Sequence, residues 1–246
     1  MTPVTTSSLI IIIFAGLIHA SFQLSLSVLT LLSGHSIGKQ TSRRRVLRLS
    51  SNFIGGVVIA TLLLVSAISY YLTLFVSHVS STEQFTAAIA SGLMIGLGIA
   101  TWAFYYRPTR GTTLWLPRNF AEYLTKRSKS TKNTAEAFSL GIISVVAEII
   151  FIIAPILASS LAIITLPNIW WQISGIILYI ILSALPLLII NSLINTGHSI
   201  ADLQKWREKH KRFLQFASGS SLIILACFLF ADRVVGLISY GGTLWL

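Results

Sequence analysis

Six stretches of this chain are too long and too apolar to be anything but membrane spans: about Ser8–Ser33, Asn52–His78, Phe85–Tyr106, Glu136–Leu161, Trp170–Ile194 and Phe213–Ala231. Each reaches or approaches the roughly 20 apolar residues that a bilayer core requires. Lipid offers no hydrogen bonds, so backbone groups in these stretches must pair within their own segment, as in a helix. The composition agrees, with 54% hydrophobic and 10% charged residues, where soluble domains carry about 25% charged residues. The expected fold is an all-α, six-helix membrane protein forming one membrane domain.

A net charge of +11 invites a nucleic-acid reading, but the distribution excludes it. Of 18 Lys and Arg, 17 fall in three blocks, Lys39 to Arg48, Arg107 to Lys132 and Lys205 to Arg212. Basic blocks alternating with loops that hold no Lys or Arg are the mark of the positive-inside rule. They predict cytoplasmic loops after segments one, three and five, and both termini outside. The blocks also predict contact with anionic lipids of the inner leaflet. No Lys or Arg precedes Lys39, so the first segment lacks the basic start of a secretory leader and is expected to be retained. The expected location is a prokaryotic plasma membrane. The lone Cys227 excludes an internal disulfide or a CxxC pair and is expected to be a packed thiol.

The basic loops carry helix signals. Asn133-Thr134-Ala135-Glu136 reads as a capping box opening the fourth span. Pro117–Arg127 and Leu203–Arg212 read as amphipathic, interfacial helices. Gly34-His35-Ser36-Ile37 recurs as Gly197-His198-Ser199-Ile200 after two spans; helix ends closed by Gly, with His near the C-terminal dipole, are the plain reading. Gly92-x-x-x-Gly96 with Gly98 reads as a close-packing face of the third span.

Three spans start outside and three start inside. This layout predicts a 3+3 inverted repeat, with a first half of about 1–106, a basic linker over 107–135 and a second half of about 136–246. A shift of 125 residues lays Gly16 on Gly141, His19 on Ser144 and Gln23 on Glu148. This layout, the polar first and fourth spans, and the run Trp206-Arg207-Glu208-Lys209-His210-Lys211-Arg212 before a Gly-containing last span resemble the lysine-exporter (LysE) superfamily. The thiol-disulfide branch of CcdA-like proteins is the most similar in layout. Gly16-Leu17-Ile18-His19-Ala20 is similar to the first-helix opening of the nickel/cobalt-exporter branch. The thiol branch has cysteines in its first and fourth helices, and this chain has neither. The metal branch continues into an acidic Pro-Asp-His cluster, where this chain has Ser21-Phe22-Gln23.

Two ionisable residues interrupt apolar spans near their middle: His19 in the first and Glu148 in the fourth. An ionisable group at that depth is costly and is usually retained for a role. Gln23 lies one turn beyond His19, and Ser144 one turn before Glu148. Pro155 and Pro186 interrupt the fourth and fifth spans and free carbonyls that a cavity can use; Asn191 and Asn195 follow Pro186 on one face. A cavity lined by His19, Gln23, Ser144 and Glu148 is the functional reading. An interhelical polar lock between the first and fourth spans, with Glu148 neutral or paired to His19, is the structural one. Either places the two in one side-chain layer, with Cβ atoms within about 12 Å. The function expected is secondary transport or export of a small solute or cation by alternating access, with Glu148 as the coupling carboxylate. No catalytic residue, metal or cofactor is called for, since no Ser-His-Asp, HExxH, CxxC or P-loop pattern is present. The alternatives are an assembly subunit of a membrane complex and an intramembrane enzyme using His19 and Glu148. Substrate and lipids are the expected partners, and association with a second copy stays open.

Overall fold

The computed structural model describes residues 3–22, 28–29, 32, 43–78, 82–105, 118–131, 133–196 and 209–236. Every regular element among them is a helix. Six are long and apolar enough to cross a bilayer, so the chain is a multi-pass membrane protein. The six are α1 (Pro3–Ser21), α2 (Arg43–His78), α3 (Thr82–Ala100), α5 (Thr134–Ile164), α6 (Ile169–Thr196) and α7 (Lys211–Phe230), with a short α4 (Arg118–Ser130) between α3 and α5.

Several boundaries differ from the sequence pattern. α2 begins at Arg43, well before its apolar run at Asn52. Arginine is a good helix former, and its long stem reaches water from a helix that continues past the apolar core. Arg44, Arg45 and Arg48 are accordingly exposed. α4 forms where an amphipathic helix was expected. It buries Leu124 and Ser128 and exposes Lys126 and Arg127. At the start of α5, Asn133 Oδ1 accepts from Glu136 N–H at 2.8 Å, as the capping box predicts. The Glu136 carboxylate lies 3.6 Å from Arg127 of α4. The paired Gly-His-Ser-Ile tetrapeptides, and residues 203–208 of the second amphipathic stretch, lie outside the described residues. One end of the bundle therefore carries the exposed cations of α2, α4 and the start of α7; it is called the basic end below. The opposite end carries the tight α5–α6 turn, where Asn168 Oδ1 accepts from Trp171 N–H at 3.0 Å and opens α6.

α1 and α5 form an antiparallel central pair. Ser8 meets Thr165 near the opposite end at 3.0 Å, and the Phe22 and Phe151 rings stack at 6.1 Å further along. α1 also packs on α6 and α7, and α5 on α2 and α3; α2 with α6 and α3 with α7 complete the main contacts. The tightest approaches occur at glycines. A Cβ on Gly56 of α2 would overlap the Phe138 carbonyl oxygen of α5, and one on Gly141 would overlap the Phe53 carbonyl oxygen of α2. Gly16 brings α1 against Tyr179 and Leu182 of α6, and Gly98 of α3 faces Gly219 of α7. Gly92 and Gly96, expected to pack with Gly98, instead have open space beside them and are exposed. Helical geometry explains the split: Gly92 and Gly96 share one face, and Gly98 points elsewhere. Cys227 is likewise exposed on α7 rather than packed.

α3 and α7 each end in a five-residue π-helical turn, Thr101–Tyr105 and Ala231–Val235. The Gln215 amide of α7 donates to the Thr101 and Trp102 carbonyls at 3.0 and 2.6 Å, and Trp102 stacks on Phe216. These bonds supply donors to carbonyls at a helix end.

The glycine contacts give the first prediction. Gly141→Ala forces backbone apart at the α2–α5 contact and should lower stability by about 1–3 kcal/mol. Gly92→Ala, in open space, should raise it by about 0.5–1 kcal/mol. Thermal melts in one detergent compare the two; equal effects would refute the packing account.

Candidate functional site

His19 and Glu148 sit on the two central helices, each 1% exposed, so neither faces lipid. α5, which carries Glu148, is the most enclosed of the six spans. The antiparallel register explains why the pair do not share a layer. His19 lies three residues before Phe22 and Glu148 three residues before Phe151. Because the helices run in opposite directions, the two fall on opposite sides of the ring stack, about 9 Å apart along the bundle at 1.5 Å per residue.

His19 finds another partner. Its Nδ1 lies 2.8 Å from the Tyr179 hydroxyl of α6, both side chains fully enclosed. Ser159 of α5 stands near the same hydroxyl, and its own proton goes to the Ile156 carbonyl at 3.0 Å. Gly16, one turn before His19, makes this possible: without a Cβ it lets α6 approach until the Tyr179 carbonyl and Leu182 touch α1. The result is a polar lock between α1 and α6, which gives His19 a partner other than Glu148.

The other predicted site residues divide. Ser144 is fully buried, and its hydroxyl donates to the Gly141 carbonyl of its own helix at 2.7 Å. Pro155 is buried in α5 and Pro186 half-buried in α6, and both helices run on through them. Gln23 lies outside the described residues. Asn191 meets Ser50 of α2 at 2.6 Å toward the basic end; the Asn195 side chain lies outside the described ones. Among the described residues no three His, Cys, Asp or Glu side chains converge.

A second polar centre was missed by sequence reasoning. Arg233, in the π turn after α7, is only 5% exposed. Its Nη1 donates to Glu83 Oε1 of α3 at 3.2 Å, and its Nη2 to Ser8 Oγ of α1 at 2.6 Å. Nε is 2.9 Å from Asp232 Oδ2, within ion-pair range, although the N–H is not aimed at that oxygen. Thr165 donates its own proton to the Ala162 carbonyl, so Ser8 must donate to Thr165 and accept from Arg233. One guanidinium thus ties α7 to α3, α1 and, through Ser8, α5. The signal was available: Arg233 is the single cation of the 18 outside the basic blocks. Tyr179 had no comparable signal, being one aromatic residue in an apolar span.

No known protein family, curated protein or solved structure matches this chain.

The geometry predicts how the buried groups couple. A double-mutant cycle of His19→Phe and Tyr179→Phe should give a coupling of about 0.6–1.7 kcal/mol, the range for interhelical hydrogen bonds in membranes. A cycle of His19→Phe and Glu148→Gln should be additive within about 0.5 kcal/mol, as for sites without a shared contact. Unfolding in mixed micelles measures both, and the reverse ranking would reject the register given above.

Proposed function

We propose that this protein is a secondary transporter or exporter of a small solute or cation, with Glu148 as its coupling carboxylate. The observation that carries the reading is a carboxylate 1% exposed at mid-length of the most enclosed helix, α5. A carboxyl there is a costly way to hold helices together, and intramembrane acids recur in proton relays and ion paths. It can take a proton from one face and release it to the other in exchange for substrate. His19 belongs to the framework in this proposal, because Tyr179 already engages it. That engagement also weighs against an enzyme built on His19 and Glu148. It lends some support to the assembly-subunit reading, in which all buried polar groups serve packing.

The inverted repeat is part of the proposal, and three observations support it. Exchanging α1–α3 with α5–α7 carries the α2–α5 contact onto α6–α1 and the α3–α5 contact onto α7–α1, and leaves α1–α5, α2–α6 and α3–α7 unchanged. Gly141 touches Val57, and Gly16 touches Leu182; both partners are related by the same 125-residue shift. The third span of each half ends in a π turn. The layout is that of the lysine-exporter superfamily, to which we liken the chain, with both termini outside a prokaryotic plasma membrane.

The orientation has a direct test. On a Cys227→Ala background, Lys126→Cys should react with a membrane-impermeant thiol reagent only after the cells are permeabilised, since positive loops stay inside. Labelling of intact cells would invert the topology.

The coupling role is tested by Glu148→Gln, which keeps shape and hydrogen-bonding capacity and cannot exchange a proton. In proteoliposomes offered amino acids and divalent cations between about pH 5 and 8, the variant should insert and melt normally but lose pH-dependent transport. A carboxyl serving only as packing would leave Glu148→Gln neutral or slightly stabilising, with transport and its pH profile unchanged; that result would end the hypothesis.

A further inference from the structure

The contacts divide the bundle into two bodies. α1, α2, α5 and α6 form a four-helix core, in which α5 joins α2 and α1 joins α6. α3 and α7 form a pair of their own. They are held toward the basic end by Gly98 against Gly219, and at that end by Gln215, Trp102 and Phe216. The pair rests on α1 through α7 and on α5 through α3. At the opposite end Arg233 spans both bodies: Glu83 and Asp232 belong to the pair, and Ser8 to the core.

We propose that the Arg233–Ser8–Thr165 contact is a latch that closes the opposite end of the bundle by holding the α3–α7 pair against α1 and α5. Its purpose rests on the transport reading; its mechanics do not. The charges are arranged for a contact that can open. Glu83 and Asp232 travel with Arg233 on the same pair, so separating the bodies does not strand a naked guanidinium. The link that breaks is the hydrogen bond to Ser8, an uncharged hydroxyl, and Ser8 keeps Thr165 as a partner. The cost of opening is thus one charge-assisted hydrogen bond, and no ion pair buried between the bodies has to part. The π turn carrying Asp232 and Arg233 fits this role, because such turns re-aim side chains and recur at functional sites.

The latch is tested by the accessibility of a thiol beneath it. Ala90 lies two turns below Glu83 on the same face of α3 and is fully buried. Ala90→Cys on a Cys227→Ala background adds a single sulfur atom. In detergent this thiol should react slowly with a water-soluble maleimide. Ser8→Ala, which removes the cross-body link and no charge, should speed the reaction about tenfold, the effect of losing one hydrogen bond to a charged group. Arg233→Gln should speed it at least as much, and joining Glu83→Arg to Arg233→Glu should return it toward the slow rate. Unchanged labelling in Ser8→Ala with an unchanged melt would overturn the latch, even where Arg233→Gln fails to fold. The assay needs no substrate. Faster labelling without solute flux would therefore uphold the latch and count against transport alone.

Discussion

A bilayer gives helices no hydrophobic reason to associate, since lipid tails are as apolar as leucine. This bundle therefore depends on how closely its backbones can approach. Three of its interfaces have glycines at close approach: Gly56 and Gly141 between α2 and α5, Gly16 between α1 and α6, Gly98 and Gly219 between α3 and α7. Close approach multiplies weak dispersion contacts and brings backbone carbonyls alongside the neighbouring helix. It also sets the polar chemistry. Tyr179 reaches His19 because Gly16 admits α6, so the deepest polar contact in the core is a consequence of a missing side chain.

Many hydroxyls among the described residues bond back to the chain three or four residues earlier. Thr101 donates to Leu97, Ser144 to Gly141, Ser159 to Ile156 and Thr165 to Ala162. Such back-bonding is the usual fate of Ser and Thr in an apolar helix, and it makes a buried Ser a poor marker of a site. Contacts that cross between helices are the informative ones: His19 with Tyr179, Ser50 with Asn191, and Arg233 with Glu83 and Ser8. Their distribution along the bundle carries more meaning than the polarity of any one residue.

The six spans were legible because apolar length is a property of single segments. The start of α2 was not, since the arginines that end its apolar run are good helix formers. At the site, His19 and Glu148 stood out through their cost, and both are buried. Their separation was hidden because it depends on the antiparallel register of α1 and α5, set by contacts such as Ser8–Thr165 and Phe22–Phe151, more than 120 residues apart in the chain. The reading of Gly92 and Gly96 failed for a related reason. A small-x-x-x-small stripe says that a helix face can pack closely, and the chain alone does not say which faces are covered. Arg233 was in plain view, but a cation near the end of a last span reads as an interfacial anchor until its partners are known.

The contacts stack in a definite order from the opposite end inward. Arg233, Ser8 and Thr165 come first, then His19, Tyr179 and Ser159, then the Phe22–Phe151 stack, and beyond it the level of Glu148. The outer two levels are polar and interlocked, and the third is aromatic and apolar. In the proposed transport role these three levels separate Glu148 from that end, and each involves α1. Their mechanical demands differ. The ring stack and the His19 lock lie within the four-helix core, where the glycine interfaces leave little slack. The Arg233 contact lies between the core and the α3–α7 pair, which meets the core through fewer helices. If the proposed latch opens, the shift falls where the pair meets α1 and α5, and the His19–Tyr179 contact stays inside the core. On this view the buried histidine serves any exchange at Glu148 indirectly, by fixing the surface against which the moving helices slide.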